Sequence, residues 1–135
     1  MHEGHQEVAA VRDHVDRIGR AVLDAAFRVH KALGPGLLET VYEQCLAEEL
    51  RQAGLHVERQ VAVPVAYGSV RMQVGYRIDL LVAGSVVVEV KSVDALAPVH
   101  VAQVLTYLRF SERRLGYLIN FNSGLLKNGV RRVVL

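Results

Sequence analysis

Arg77-Ile78-Asp79-Leu80-Leu81-Val82-Ala83-Gly84-Ser85-Val86-Val87-Val88-Glu89-Val90-Lys91 is the stretch on which the reading of this 135-residue chain turns. Ala83-Gly84 separates two aliphatic runs with period-2 alternation, which predicts a hairpin. Alternation sets Ile78, Leu80 and Val82 against Arg77, Asp79 and Leu81 on the first strand. On the second it sets Val86, Val88 and Val90 against Val87, Glu89 and Lys91. The turn decides what the charged residues meet. A two-residue loop at 83–84 pairs Asp79 with Val88 and sends the two carboxylates to opposite faces. A three-residue loop of Val82-Ala83-Gly84, with Gly84 left-handed, pairs Asp79 with Val87 and Arg77 with Glu89. Asp79, Glu89 and Lys91 then lie together, the carboxylates on diagonal neighbours about 7–8 Å apart at the backbone. Two carboxylates so placed suit one hard cation such as Mg²⁺, which takes few protein oxygens and completes its shell with water or phosphate. Spacing alone favours a half-solvated strand in which Arg77 and Glu89 form a cross-strand ion pair.

Upstream of the hairpin the period is that of helices. Ile18, Val22, Ala25, Val29 and Leu33 form one stripe of a predicted helix over 18–33, ended by Gly34-Pro35-Gly36. A second helix runs from about Leu37 to Ala53, with Leu38, Val41, Cys45 and Leu50 as its apolar face. Strands follow at Val57–Gln60 and Val61–Tyr67, where Pro64 implies an edge or bulge. Gly68-Ser69 then turns the chain into a long strand from Val70 to Val82, bent near Gly75. Downstream, Pro98 starts a third helix to about Arg113. Leu115–Phe121 is a buried strand and Val130–Leu135 a last one. Strands 86–91 and 115–121 flank a helix, so they should pair in parallel through a right-handed crossover. The fold class is α/β, an α+β arrangement with two N-terminal helices and a mixed sheet.

Composition narrows the rest. A chain of this length and 51% hydrophobic content supports one domain with a real core. We divide it into a polar extension at 1–16, loose and carrying His2, His5 and His14, and a domain at 17–135. One cysteine, Cys45, excludes an internal disulfide framework and a Cys-rich zinc site, and reads as a core residue. No apolar run spans a bilayer and no secretory signal is visible, so the expectation is a cytoplasmic protein without a membrane role. Residues 92–135 carry six Lys/Arg against Asp94 and Glu112, while residues 1–91 carry ten against twelve. This asymmetry permits a polyanionic partner. Among the basic residues, Arg109, Arg113 and Arg114 cluster near the end of the third helix, where they are candidates to hold a nucleic-acid backbone. No P-loop and no nucleophilic serine elbow is present.

Asp79 followed by Glu89-Val90-Lys91 resembles the PD-(D/E)xK nuclease signature, with Ile78 where a proline often stands. Gly36-Leu37-Leu38-Glu39-Thr40-Val41-Tyr42 is similar to the motif that names the GxxExxY protein family, a branch of that superfamily. The stretches 30–36, 100–108 and 118–121 resemble it too. The resemblance implies a restriction-endonuclease-like core and a Mg²⁺- or Mn²⁺-dependent nuclease acting on nucleic acid. It implies metal ligation by Asp79, Glu89 and the carbonyl of Val90, with Lys91 serving the attacking water or the phosphate. Glu39 would be the additional helical acid, and Gln103 and Tyr107 the Q-x-x-x-Y pair that positions substrate, with His100 beside them. His100, Gln103 and Tyr107 do share one stripe of the third helix. The alternative is a non-catalytic nucleic-acid-binding or assembly subunit that keeps the nuclease fold, and a small-molecule phosphodiesterase is the weaker third reading. A second copy of the chain or a partner protein would supply target recognition.

Overall fold

The computed structural model describes residues 2–135; the side chains of His2 and His5 lie outside the described residues. Strands β4 (Arg77–Val82), β5 (Val86–Lys91) and β6 (Leu115–Asn120) form the middle of a five-stranded sheet. Strands β1 (Val57–Ala62) and β7 (Val130–Val134) close its two edges, in the order β1-β4-β5-β6-β7. β5 and β6 pair in parallel, as the sequence predicts, and every other neighbour is antiparallel. The parallel pair is covered on both faces, which is why these two strands read as nearly unbroken aliphatic runs.

Helices α1 (His2–Leu33) and α2 (Glu39–Gln52) cover one face. There Val22, Val29, Tyr42, Leu46 and Leu50 pack against Leu80, Val88, Ile119 and Phe121, with the Tyr42 and Phe121 rings stacked at 4.7 Å. Helix α3 (Pro98–Ser111) covers the other face, where Val104, Tyr107 and Leu108 pack on Leu81, Val87 and Leu118. At 25 cal/mol per Å² of apolar surface, each of these fully buried side chains contributes about 1.5–3 kcal/mol.

The elements depart from expectation in three places. First, α1 begins at His2 rather than near Ile18, so the extension expected to be loose is helical. Val8, Val11 and Val15 continue the Ile18–Val22 stripe at helical spacing. Val8 and Val11 remain exposed while Val15 enters the core. Second, the buried face of α2 is Tyr42, Glu43, Leu46, Ala47 and Leu50, while Leu38 and Val41 are exposed and Cys45 is half-buried. Tyr42, Leu46 and Leu50 are one i, i+4, i+8 row, and the aromatic ring wins the core position. Third, Val70–Val82 is two strands. β3 (Val70–Met72) pairs with β2 (Val65–Tyr67) in a separate exposed hairpin. Gly75, at φ +85°, turns the chain back, and Val63 N–H donates to the Tyr76 carbonyl across the neck.

Gly116 lets α3 lie close on β6. A Cβ at this position would stand 2.8 Å from Val104 Cγ1 and 3.3 Å from the Val87 carbonyl oxygen. Gly116→Ala should therefore lower stability by ~1–3 kcal/mol in urea unfolding. The cost should shrink when Val104→Ala removes the clashing methyl. An unchanged midpoint for Gly116→Ala would contradict this packing.

Candidate active site

The site grows from the end of the β4–β5 ladder. The last ladder pair on this side is Leu80 with Val88, which makes the loop Ala83-Gly84-Ser85 and brings Asp79 directly opposite Glu89. The expected three-residue loop thus begins one residue later. Its register shifts by two, so face parity survives and the expected diagonal becomes a direct pair. Ala83 and Gly84 are both left-handed, at φ +52° and +64°, and Ser85 N–H donates to Val82 O at 3.0 Å. Arg77 is two residues out of reach of the ion pair considered with Glu89; it lies opposite Ala62 of β1.

Where the backbone ladder stops, the two carboxylates replace it. Glu89 Oε1 accepts from the Asp79 N–H at 3.0 Å, and Asp79 Oδ2 accepts from the Val90 N–H at 2.9 Å. A strand residue directs its N–H and C=O to the same neighbour. The Val90 carbonyl therefore faces β4 beyond the last ladder pair.

β1 adds a third participant. In its otherwise regular register with β4, Gln60 falls opposite Asp79, yet Gln60 adopts φ +55°. This conformation costs a non-glycine residue on the order of 1 kcal/mol or more and is concentrated at functional sites. It allows the Gln60 carboxamide to donate to Asp79 Oδ1 at 3.2 Å and to Glu43 Oε1 at 2.7 Å. Glu43 is buried on α2, and its other oxygen takes a two-pronged contact from Arg59, at 2.6 Å from Nη2 and 3.1 Å from Nε.

Burial pushes Glu89 up to about 8, and the neighbouring Asp79 carboxylate adds to the rise; the Asp79 N–H and Lys91 oppose it. Burial likewise raises Asp79 to about 6 against the hydrogen bond from Val90, with the charge of Glu43 contributing. The pair is short of positive charge. Lys91 shares the face of Glu89 and acts on it, and none of the four ion pairs among the described residues engages it.

From the opposite layer, α3 brings Gln103 and Tyr107. Gln103 Nε2 donates to the Tyr107 hydroxyl at 2.8 Å, leaving the phenolic proton free to donate. Burial, with the charge of Glu89, raises this phenol to about 12, so it keeps its proton at neutral pH. His100 caps the helix instead: its Nδ1 accepts from the Ala97 N–H at 2.9 Å, which assigns the ring proton to Nε2.

Two further expectations find other positions. Glu39 is exposed and accepts from the Ser92 N–H at 3.3 Å, one residue beyond Lys91; the helical acid acting on Asp79 and Glu89 is Glu43. The arginines at the end of α3 do not form a common phosphate clamp. Arg113 Nε donates to the Gly84 carbonyl at 2.7 Å and its Nη1 donates to Ser111 O. Gly84 lies five residues before Glu89 along the strand, about 16 Å away. Arg114 Nε is buried, and only Arg109 is exposed, with its guanidinium 5.2 Å from the Phe110 ring centre.

Sequence reasoning missed Glu43, Gln60 and Asn120. Asn120 is buried and clamps the chain after Lys91, accepting from the Val93 N–H at 3.0 Å and donating to the Val93 carbonyl at 2.9 Å. The one available signal was the i, i+4 spacing of Glu39 and Glu43.

Two carboxylates and a carbonyl on one side are a donor set for a hard divalent cation. Among the described residues no three His, Cys, Asp or Glu side chains gather into a metal cage. Any cation here would therefore keep part of its water shell, as Mg²⁺ sites commonly do.

A family model described as the PD-(D/E)XK nuclease superfamily matches residues 16–133. The chain belongs to the PD-(D/E)XK nuclease superfamily. Curated proteins and solved structures yield no match. The three helices and mixed sheet are those of a restriction-endonuclease-like fold of this superfamily, whose nucleases typically use divalent metals. No helix among the described residues is long and apolar enough to cross a membrane.

The raised carboxyls fix the sign of the pH dependence. Folding tightens their protons relative to the ordinary values of 3.8 and 4.5, so the contribution of these two carboxyls to the stability of the metal-free protein is fully present below about pH 4. Stability should fall as pH rises through about 6 and level off above about 8. Glu89→Gln should flatten the upper part of that slope in thermal melts. A wild-type melting temperature that rises between pH 5 and pH 8 in EDTA would contradict the assignment.

Proposed function

We propose that this chain is a divalent-cation-dependent phosphodiester hydrolase acting on nucleic acid, in the branch of the superfamily that its Gly36–Tyr42 stretch resembles. The observation that carries this reading is the opposed pair of half-buried Asp79 and buried Glu89, deficient in positive charge, with Lys91 on the same face. A Mg²⁺ or Mn²⁺ ion held by Asp79, Glu89 and the Val90 carbonyl would neutralise scissile-phosphate charge and acidify a water.

The chain's own residues divide the remaining work. Lys91 brings an ammonium that stabilises negative charge as it develops on the phosphate. Tyr107, protonated and held by Gln103, donates a hydrogen bond to a phosphate oxygen. Gln60 holds Asp79 and Glu43 through one carboxamide, which keeps the outer acid from approaching the pair freely. Glu39, Ser92 and Asn120 fix the chain just after Lys91, so the lysine starts from an anchored backbone. The α2 entrance is anchored as well: the Tyr42 hydroxyl donates to Gly34 O at 2.5 Å and accepts from the Leu37 N–H at 3.1 Å. This gives the tyrosine of the Gly36–Tyr42 stretch a positioning role. We place its action in the cytoplasm, with a second copy or a partner protein supplying target choice.

The test is cleavage of labelled DNA and RNA by purified protein with Mg²⁺ or Mn²⁺. Lys91→Ala should reduce cleavage by roughly 100-fold or more while keeping metal-induced thermal stabilisation. Asp79→Asn and Glu89→Gln should remove both. Cleavage persisting in EDTA, or an active Asp79→Asn protein, would overturn the mechanism. Nucleic-acid binding with no cleavage under any divalent cation would favour the non-catalytic subunit.

A further inference from the structure

We propose that the pocket between α3 and Tyr76 binds one unstacked nucleobase, so that the chain takes single-stranded nucleic acid in preference to duplex. The inference rests on the phosphodiesterase reading of the carboxylate pair for its placement beside the scissile phosphate, and it adds the strandedness of the substrate.

The pocket has a volume of about 440 Å³ and is lined by Tyr76, Val99, His100, Gln103, Thr106 and Tyr107, with Ala102 at its side. That lies at the lower end of the range for small-molecule sites, with room for a planar base. Its walls are apolar and aromatic. Tyr76 is 42% exposed and Val99 67% exposed, an uncovered aromatic and aliphatic surface next to the site. The Tyr76 and Tyr107 rings stand edge to face, with centres 6.0 Å apart and planes at 65°. The Tyr76 backbone is anchored, because its carbonyl accepts from the Val63 N–H at 2.9 Å.

The polar atoms are few and suit a base edge. Gln103 spends one N–H on Tyr107, which leaves its carbonyl oxygen and second N–H as an acceptor and donor side by side. His100 offers a donor at Nε2, since Nδ1 is occupied by the helix cap. Thr106 adds little, as its hydroxyl is turned back to the Ala102 carbonyl at 3.1 Å. No arginine or lysine lines the pocket, so a phosphate has no cation to meet there. Tyr107 belongs both to the pocket wall and to the surroundings of Glu89 and Asp79, which joins a base seat to the catalytic pair through one residue.

A base inside a duplex has both faces stacked and its pairing edge occupied. Entering this pocket would require extruding it, whereas a single strand presents it directly. A larger groove of about 590 Å³ between α1 and α2 is a weaker candidate for the substrate. Its charges are partly paired already, as in Arg28–Glu49 at 2.8 Å and Arg59–Glu43 at 2.6 Å.

The experiment uses the full chain carrying Lys91→Ala in Mg²⁺, with a short fluorescent single strand and its duplex as probes, each made as DNA and as RNA. Anisotropy should give at least ~10-fold tighter binding of the single strand. Tyr76→Ala should weaken that binding by roughly 5- to 100-fold, Tyr76→Phe should retain it, and neither should move duplex binding. Ala102→Leu, at an exposed helical position, fills the pocket without touching the core and should weaken single-strand binding as well. It decides the matter if Tyr76→Ala fails to fold. Equal or tighter duplex binding, or native-like Tyr76→Ala and Ala102→Leu proteins that bind the single strand as before, would overturn the proposal. Cleavage of duplex alone by the wild type would also overturn it while leaving the phosphodiesterase reading intact. Tyr76-dependent single-strand binding, with no cleavage of any probe by the wild type in Mg²⁺ or Mn²⁺, would support the pocket and remove that reading.

Discussion

The structure depends on the reciprocal contact in which Asp79 and Glu89 take each other's strand. Beyond Leu80 and Val88 the β4–β5 ladder gives way to two carboxylate-to-amide bonds, at 3.0 and 2.9 Å. These bonds hold the two strands together where their ladder ends. They also set two carboxyls face to face where burial opposes the ionisation of both. The same two side chains are thus both sheet staples and the source of an unfavourable potential, and this constrains everything around them. Replacing either residue by alanine would remove a hydrogen-bond acceptor as well as a charge. The amides Asn and Gln separate the two roles, because they keep an oxygen for the backbone N–H.

The surroundings manage that potential without cancelling it. Arg59 satisfies Glu43, and Gln60 accepts a left-handed backbone to tie Glu43 to Asp79. No guanidinium is spent on Asp79 or Glu89, and Lys91 is the cation that acts on Glu89. Had stability alone shaped the region, a paired arginine or an aliphatic replacement would have been the less costly arrangement. A partly buried pair left deficient in positive charge is the condition under which a divalent cation binds with gain, at the expense of stability in its absence. Beside the pair, Tyr76, Val99 and Tyr107 line an apolar and aromatic pocket, so Tyr107 has charged groups on one side and this pocket on the other.

Much of this was legible from period and parity. Val86–Lys91 and Leu115–Asn120 flank a helix, which predicts a parallel pair, and alternation put Glu89 and Lys91 on one face, which Asp79 joins only through a three-residue loop. The turn was harder because Ala83 takes a positive φ that sequence assigns to glycine, which moved the loop by one residue and the register by two. Even registers preserve faces, so the site survived the slip. Glu43 was hidden because a charged residue in a buried row of α2 is decided by Arg59, which lies on β1. Gln60 was hidden for a deeper reason. Nothing in a glutamine's chemistry announces a left-handed backbone in mid-strand, and here the conformation accompanies hydrogen bonds from its side chain to both Asp79 and Glu43. The arginines near the end of α3 illustrate the reverse error. Their clustering in sequence is real, but Arg113 is committed to the Gly84 turn at the other end of β5.

The central claim is that Asp79 and Glu89 form a protonated, charge-deficient pair that a divalent cation completes. Proton release on Mn²⁺ binding tests it most directly, by calorimetry in buffers of different ionisation enthalpy. With Glu89 near 8, the ion should displace close to one proton per site at about pH 7, declining toward none above about pH 9. Asp79→Asn should abolish the binding. Binding that releases no protons at neutral pH, or that is unchanged in Asp79→Asn, would contradict the account.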